Sequence, residues 1–226
     1  MNDKQSKGLR TTAIVFMGLT AAMNLLGGIG TVCAAFLTKH WPSMWVFFDY
    51  RPLYQTLMIV TIIIGIFCVW STMGLMRGGK SAYRNAAILL LVGSIVAFIQ
   101  FYASLQIRGK VIPVVFKFIA NAITLLIFLL LRLPGIRDRV DFSEPGKGPD
   151  KATTGGLTAL VTGMVVLTTA IWVGSSHIYQ GNNWVHVLQL PLNVSGAILM
   201  FGGLALLLWA ALDGLTQRRR ERVPPE

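Results

Sequence analysis

The sequence predicts an all-α membrane protein, a bundle of six transmembrane helices with both termini in the cytoplasm. Charged residues make up 13% of the chain and hydrophobic residues 54%, whereas roughly 25% of a typical soluble domain is charged. Apolar runs of about 20 residues, the length that a helix needs to cross the hydrocarbon core, recur along the chain. The basic residues lie at the ends of these runs, so topology explains the formal charge of +11 better than nucleic-acid binding does.

We expect a single transmembrane domain over residues 1–226. The first apolar run is too long for the core of a secretory signal, so it is interpreted as the first span. Its small residues Gly27, Thr31 and Ala35 recur at every fourth position, a pattern typical of close helix packing. The predicted spans cover residues of about 11–38, 52–75, 83–107, 111–133, 156–175 and 192–212.

The segments between the spans are short, with one exception. Residues 39–51 are rich in aromatic side chains and predict an interfacial segment between the first two spans. A basic turn at 108–110 joins the third and fourth spans into a tight hairpin. The longest polar stretch, 134–155, combines Pro, Gly and mixed charges. This composition predicts a flexible cytoplasmic connector.

The distribution of basic residues predicts the orientation. With the N-terminus inside, fifteen Lys and Arg residues fall in the inner segments and four in the outer loops. An excess of this size on one side is typical of the cytoplasmic face. We therefore expect a multi-pass protein of the plasma (inner) membrane with both ends in the cytoplasm.

Lys117 is the one charged residue that lies deep within a predicted span, and no Asp or Glu occurs between Asp49 and Asp138. A charge in hydrocarbon is costly and is usually functional. Lys117 lies about 9 Å below the outer end of its helix. Gln100 has nearly the same depth in the preceding span, and Asn121 shares a helix face with Lys117.

These three residues are candidates for a polar pocket that opens toward the outer leaflet. Such a cationic pocket would suit an anionic lipid headgroup, a quinone carbonyl or a small anion. In the alternative interpretation, the Lys117 ammonium reaches the outer interface along its own stem, and the amides of Gln100 and Asn121 link neighbouring helices.

All three histidines, His40, His177 and His186, fall on the predicted outer side. Imidazoles bind metals and haem iron, so all three are candidate metal or haem ligands, and His177 with His186 is the first pair to test. A haem held by two histidines needs ligands on facing helices within the membrane, whereas these residues lie at span ends. Interfacial histidines bonded to water and headgroups are the alternative. Cys33 and Cys68 are interpreted as free, small apolar residues.

No Gly-rich phosphate loop, HExxH or CxxC motif occurs. The sequence therefore predicts a non-catalytic membrane subunit of a larger respiratory or transport assembly. Its expected partners are lipids and other membrane subunits, not nucleic acid, and no cofactor is expected. Two alternatives remain open: a redox anchor that binds quinone or haem b, and a permease for a small anionic or neutral solute.

Overall fold

The computed structural model of the protein describes residues 6–40, 42–145, 148–174, 178–179 and 181–221. Helices dominate these ranges, and five of them are long and apolar enough to cross a membrane. A sixth apolar helix has 17 residues. The predicted helical fold is thereby confirmed, and the long apolar helices are compatible with a membrane bundle.

The first span has two parts, because the helix is interrupted at Thr31, and short 3-10 turns at Pro42–Phe47, Arg137–Arg139 and Trp184–Leu188 connect other elements. Ile178–Tyr179 (β1) and Asn182–Asn183 (β2) form a minimal antiparallel pair. The helices are α1 (Lys7–Gly30), α2 (Val32–Phe36), α3 (Arg51–Arg77), α4 (Ala82–Arg108), α5 (Val114–Leu130), α6 (Gly148–Leu167), α7 (Thr169–Gly174) and α8 (Gln189–Glu221).

Part of the predicted flexible connector is ordered. Helix α6 begins at Gly148, inside the stretch 134–155, because its first turns pack on α1, where the Thr11 and Thr154 hydroxyls lie 3.0 Å apart. The earlier part folds against the same end of the bundle. There the Ser6 N–H donates to the Arg139 carbonyl at 2.7 Å, and the Phe142 side chain is 5% exposed. Tertiary contacts thus override the Pro, Gly and charge signals of the segment.

Helices α1, α3, α4 and α5 form a closed four-helix bundle in which each helix packs against two of the others. An apolar cluster that includes Met17, Leu90 and Phe128 fills one end of it. A second cluster around Phe47 and Tyr54 closes the opposite end. Most of the buried polar side chains of the bundle lie between these clusters.

Helices α6 and α8 form a hairpin that lies beside α1. Their backbones approach so closely that a Cβ atom at Gly203 would lie 2.7 Å from the Gly156 carbonyl oxygen, and one at Gly163 would lie 2.8 Å from the Gly196 carbonyl oxygen. The glycines are spaced by seven in both helices, so each pair lies on one face. Small residues allow this close approach in membranes. The paired spacing is visible in the sequence.

Candidate functional site: a polar network around Lys117

Lys117 lies in the first turn of α5 and points into the four-helix bundle, where it is 2% exposed. Its Nζ donates hydrogen bonds to the Thr61 hydroxyl on α3, at 3.1 Å, and to Gln100 Oε1 on α4. Gly27 on α1 makes room for the lysine stem, since a Cβ at this position would lie 2.9 Å from Lys117 Cδ. All four helices of the bundle therefore meet at this side chain.

The side-chain amide of Gln100 connects the network to α1. Its Nε2 donates to the Thr31 hydroxyl at 2.8 Å, and that hydroxyl donates to the Gly27 carbonyl at 2.6 Å. Thr31 lies between the end of α1 and the start of α2. The helix interruption thus coincides with the place where α1 joins the network.

Asn121 and Asn24 form a reciprocal amide pair one turn further along the bundle. Each Nδ2 donates to the other residue's Oδ1, at 3.2 Å from Asn24 and 3.3 Å from Asn121. The same groups also donate to the carbonyls of Thr20 and Lys117 at 2.9 Å. Gly93 on α4 leaves the required space, since its Cβ would lie 2.5 Å from Asn121 Oδ1.

The network ends at a pair of threonines. The hydroxyls of Thr20 and Thr124 lie 2.7 Å apart, and the side chain of Phe128 closes the bundle below them. From Thr20 to Thr31 the network follows α1 for about 16 Å. Its members are 6% exposed or less: Thr20, Asn24, Thr31, Thr61, Gln100, Lys117, Asn121 and Thr124.

No carboxylate neutralises Lys117 in the part of the chain that the structure describes. At the surface, Lys7 and Asp150 form an ion pair at 3.0 Å. Lys117 instead relies on two neutral oxygen acceptors, although an ammonium group has three donors. The charge is therefore stabilised by oriented dipoles rather than by a counter-ion.

The structure brings Lys117, Gln100 and Asn121 together in one hydrogen-bonded network. The site is closed, however, since Lys117 and Gln100 are 2% exposed and Asn121 is 0% exposed. The predicted opening toward the outer leaflet is absent from this arrangement, and the lysine is directed inward rather than to the interface. Asn24, Thr20, Thr61 and Thr124 were missed. In α1 the available signal was the polar or small residues at 20, 24, 27 and 31, three or four positions apart.

The structure describes two of the three candidate histidines. His40 and His186 are both exposed and lie on separate segments, and His177 lies outside the described residues. Within those residues, no group of three or more His, Cys, Asp or Glu side chains could hold a metal ion. Cys33 and Cys68 are free thiols, as expected.

Comparisons with protein-family models, with curated proteins and with solved structures found no match to this chain. The function is therefore inferred from the polar network and from the packing of the helices around it.

Proposed function

We propose that the protein is a non-catalytic membrane subunit of a larger respiratory or transport assembly. In this proposal it has six spans and both termini in the cytoplasm, and it resides in the plasma (inner) membrane. Five long apolar helices support the membrane assignment. Helix α5, with 17 residues, is about 26 Å long, which is close to the 30 Å thickness of the hydrocarbon core. The excess of basic residues in the inner segments supports the orientation.

The observation that carries the non-catalytic role is the closure of the polar network. The hydrogen bonds that it donates go to side-chain oxygens or backbone carbonyls of the same bundle. Its members are almost inaccessible from outside. Hydrogen bonds between polar side chains hold membrane helices together. The network is thus suited to fixing the arrangement of four helices.

The α6–α8 hairpin supports a role in an assembly. Helix α8 packs mainly against α6, and 17% of the most apolar stretch of this span is buried, compared with 50% in the first span. Most of its apolar surface therefore faces outward. Lipid or neighbouring membrane helices would cover that surface.

Purification from native membranes in a mild detergent, followed by mass spectrometry, tests this proposal. We expect at least one other membrane protein to co-purify in a fixed ratio. An unrelated membrane protein with the same affinity tag serves as the control for adventitious contaminants. Recovery of the chain as a monomer, with no protein above the control level, would contradict the proposal.

The neutral surroundings of Lys117 favour a second candidate, a permease for a small anion. A buried ammonium without a carboxylate could be neutralised by an anionic solute during transport. Uptake of labelled chloride, nitrate, sulfate and phosphate by proteoliposomes tests this candidate. Transport that is lost in Lys117→Met but retained in Lys110→Met would support it. Transport that is unchanged in Lys117→Met, or absent from the wild-type protein, would exclude a role for this lysine in a transport path. The two exposed histidines give the redox alternative no comparable support.

A further inference from the structure

A second polar site lies at the end of the molecule that carries the N-terminus. A cleft of about 300 Å³ opens between α1, α3 and α6 and is bordered by residues 139–145. Met76, Val140 and Pro145 supply its accessible apolar surface, whereas the neighbouring Ile14 is buried. The other lining residues are polar or charged, so the cleft is amphipathic.

The acidic groups of this cleft are largely engaged within the protein. Asp150 pairs with Lys7 at 3.0 Å. The carboxylate of Asp141 accepts hydrogen bonds from the Ser143 N–H, at 2.7 Å, and from the Ser143 hydroxyl, at 2.8 Å. The Glu144 carboxylate remains on the rim. Of the three carboxylates, that of Glu144 alone makes no ion pair or hydrogen bond with a described side chain or N–H group.

The basic groups are less engaged. Arg10 donates through Nη2 to the carbonyls of Leu75, at 3.0 Å, and Glu144, at 2.8 Å, which fixes its guanidinium on the wall. The side chains of Arg139 and Lys151 make no ion pair or hydrogen bond with any described residue, although both line the cleft. The cleft thus presents a positioned arginine and two free cations.

The N-terminus of α1 adds to this positive character. It has no capping side chain and no acidic residue in its first turn. The uncapped amides of a helix start attract anions. Ser6, at the cap position, lines the same cleft.

From this arrangement we infer that the cleft binds the phosphate group of an anionic phospholipid. Basic pockets between transmembrane helices on the cytoplasmic side are suited to lipid headgroups. Here the apolar surface of Met76, Val140 and Pro145 would contact the glycerol and upper acyl region, and the basic groups would contact the phosphate. This inference does not depend on the proposed subunit role.

Native mass spectrometry of the full-length protein in detergent, titrated with phosphatidylglycerol or phosphatidylcholine, tests the inference. We expect selective retention of phosphatidylglycerol. The double variant Arg139→Gln/Lys151→Gln should bind it roughly 30-fold more weakly, given the usual contribution of each basic residue near an anionic surface. Neither side chain makes an ion pair or hydrogen bond with a described residue, so the thermal stability of the variant should be unchanged. Lys80→Gln/Arg84→Gln, which removes two exposed basic residues outside the cleft, is the matched control and should bind normally.

Two further outcomes are informative. Equal losses in both double variants, or no loss in either, would overturn the inference, because binding would then not reside in the cleft. Titration with inorganic phosphate separates the two possible sources of the group. Failure of millimolar phosphate to displace the lipid supports a lipid site, whereas complete displacement would show a site for soluble phosphate and overturn the lipid assignment.

Discussion

At the scale of single residues, the stability of the site around Lys117 depends on the hydrogen-bond acceptors of the ammonium group as much as on the lysine itself. Burying an ammonium group costs several kcal/mol, and a hydrogen bond to a charged group returns about 1.5–3 kcal/mol. The two bonds from Lys117, to Gln100 and Thr61, therefore roughly offset the burial. Loss of an acceptor should thus be more damaging than loss of the charge.

We predict that Gln100→Leu destabilises the protein by about 3 kcal/mol, because it leaves a buried charge short of an acceptor. Lys117→Met should change the free energy of unfolding by about 1 kcal/mol or less, because it removes the burial cost together with the two bonds. Denaturant or SDS unfolding in detergent micelles measures both values. Gln106→Leu makes the same chemical change at an exposed position of α4 and should have little effect.

The double variant Lys117→Met/Gln100→Leu distinguishes direct contact from independent effects. We expect it to recover most of the stability that Gln100→Leu loses, since no buried charge remains to be satisfied. If the effects of the two substitutions simply added, the two side chains would not be in contact.

We predict that the carboxyl group of Asp141 makes the stability of the protein depend on pH. Hydrogen bonds from the Ser143 hydroxyl and the Ser143 N–H hold the pKa of this carboxyl below its ordinary value of 3.8. Its contribution to stability is therefore fully present above that value and is lost as the pH falls through the lower, folded pKa. Between pH 5 and pH 2.5, the thermal midpoint should fall less steeply in Asp141→Asn than in the wild-type protein. Asp138→Asn, at an exposed site without a side-chain hydrogen bond among the described residues, is the control. Identical slopes in wild type and Asp141→Asn would contradict this prediction.

At the scale of elements, the α6–α8 hairpin depends on backbone contact through glycine. A Cβ at Gly203 would lie 2.7 Å from backbone atoms of Gly156 and Leu160, whereas one at the adjacent Gly202 would meet nothing within 4 Å. We predict that Gly203→Ala costs about 1–3 kcal/mol, as overpacking generally does. Gly202→Ala should be neutral or slightly stabilising because alanine favours the helix. Unfolding measurements on the two variants provide a matched test, and equal stabilities would show that the helices do not approach this closely.

The helices themselves could be predicted from the sequence, because long apolar runs have few alternatives to a helix in a membrane. The start of α6 at Gly148 could not, since it depends on contacts with α1 that local composition does not encode. The polar network likewise has one member that the sequence could predict and others that it could not. Lys117 was conspicuous because a charge is rare in such a run. Asn24 and Thr124 carry no charge, and their importance arises from partners on other helices.

At the scale of the whole molecule, the proposed topology places the segment 134–145 in the cytoplasm and the turn at 108–110 outside. We predict that a membrane-impermeant thiol reagent added to intact cells labels Lys110→Cys and does not label Arg137→Cys until the membrane is permeabilised. Both positions are exposed, and Cys33 and Cys68 would be replaced by Ala to remove the background. The reverse pattern would invert the topology, and labelling of both or of neither in intact cells would contradict the proposed hairpin.

The whole structure is organised around a closed network in which Lys117 points inward, and the reactivity of its amine tests that arrangement most directly. Folded protein in mild detergent would be treated with a small amine-reactive reagent, and the modified lysines would be mapped by mass spectrometry. We predict that the exposed Lys39 and Lys110 react rapidly, whereas Lys117, 2% exposed, reacts only after unfolding in SDS. Modification of Lys117 in the folded protein at the rate of Lys110 would show that its ammonium reaches the interface, and the closed network would be wrong.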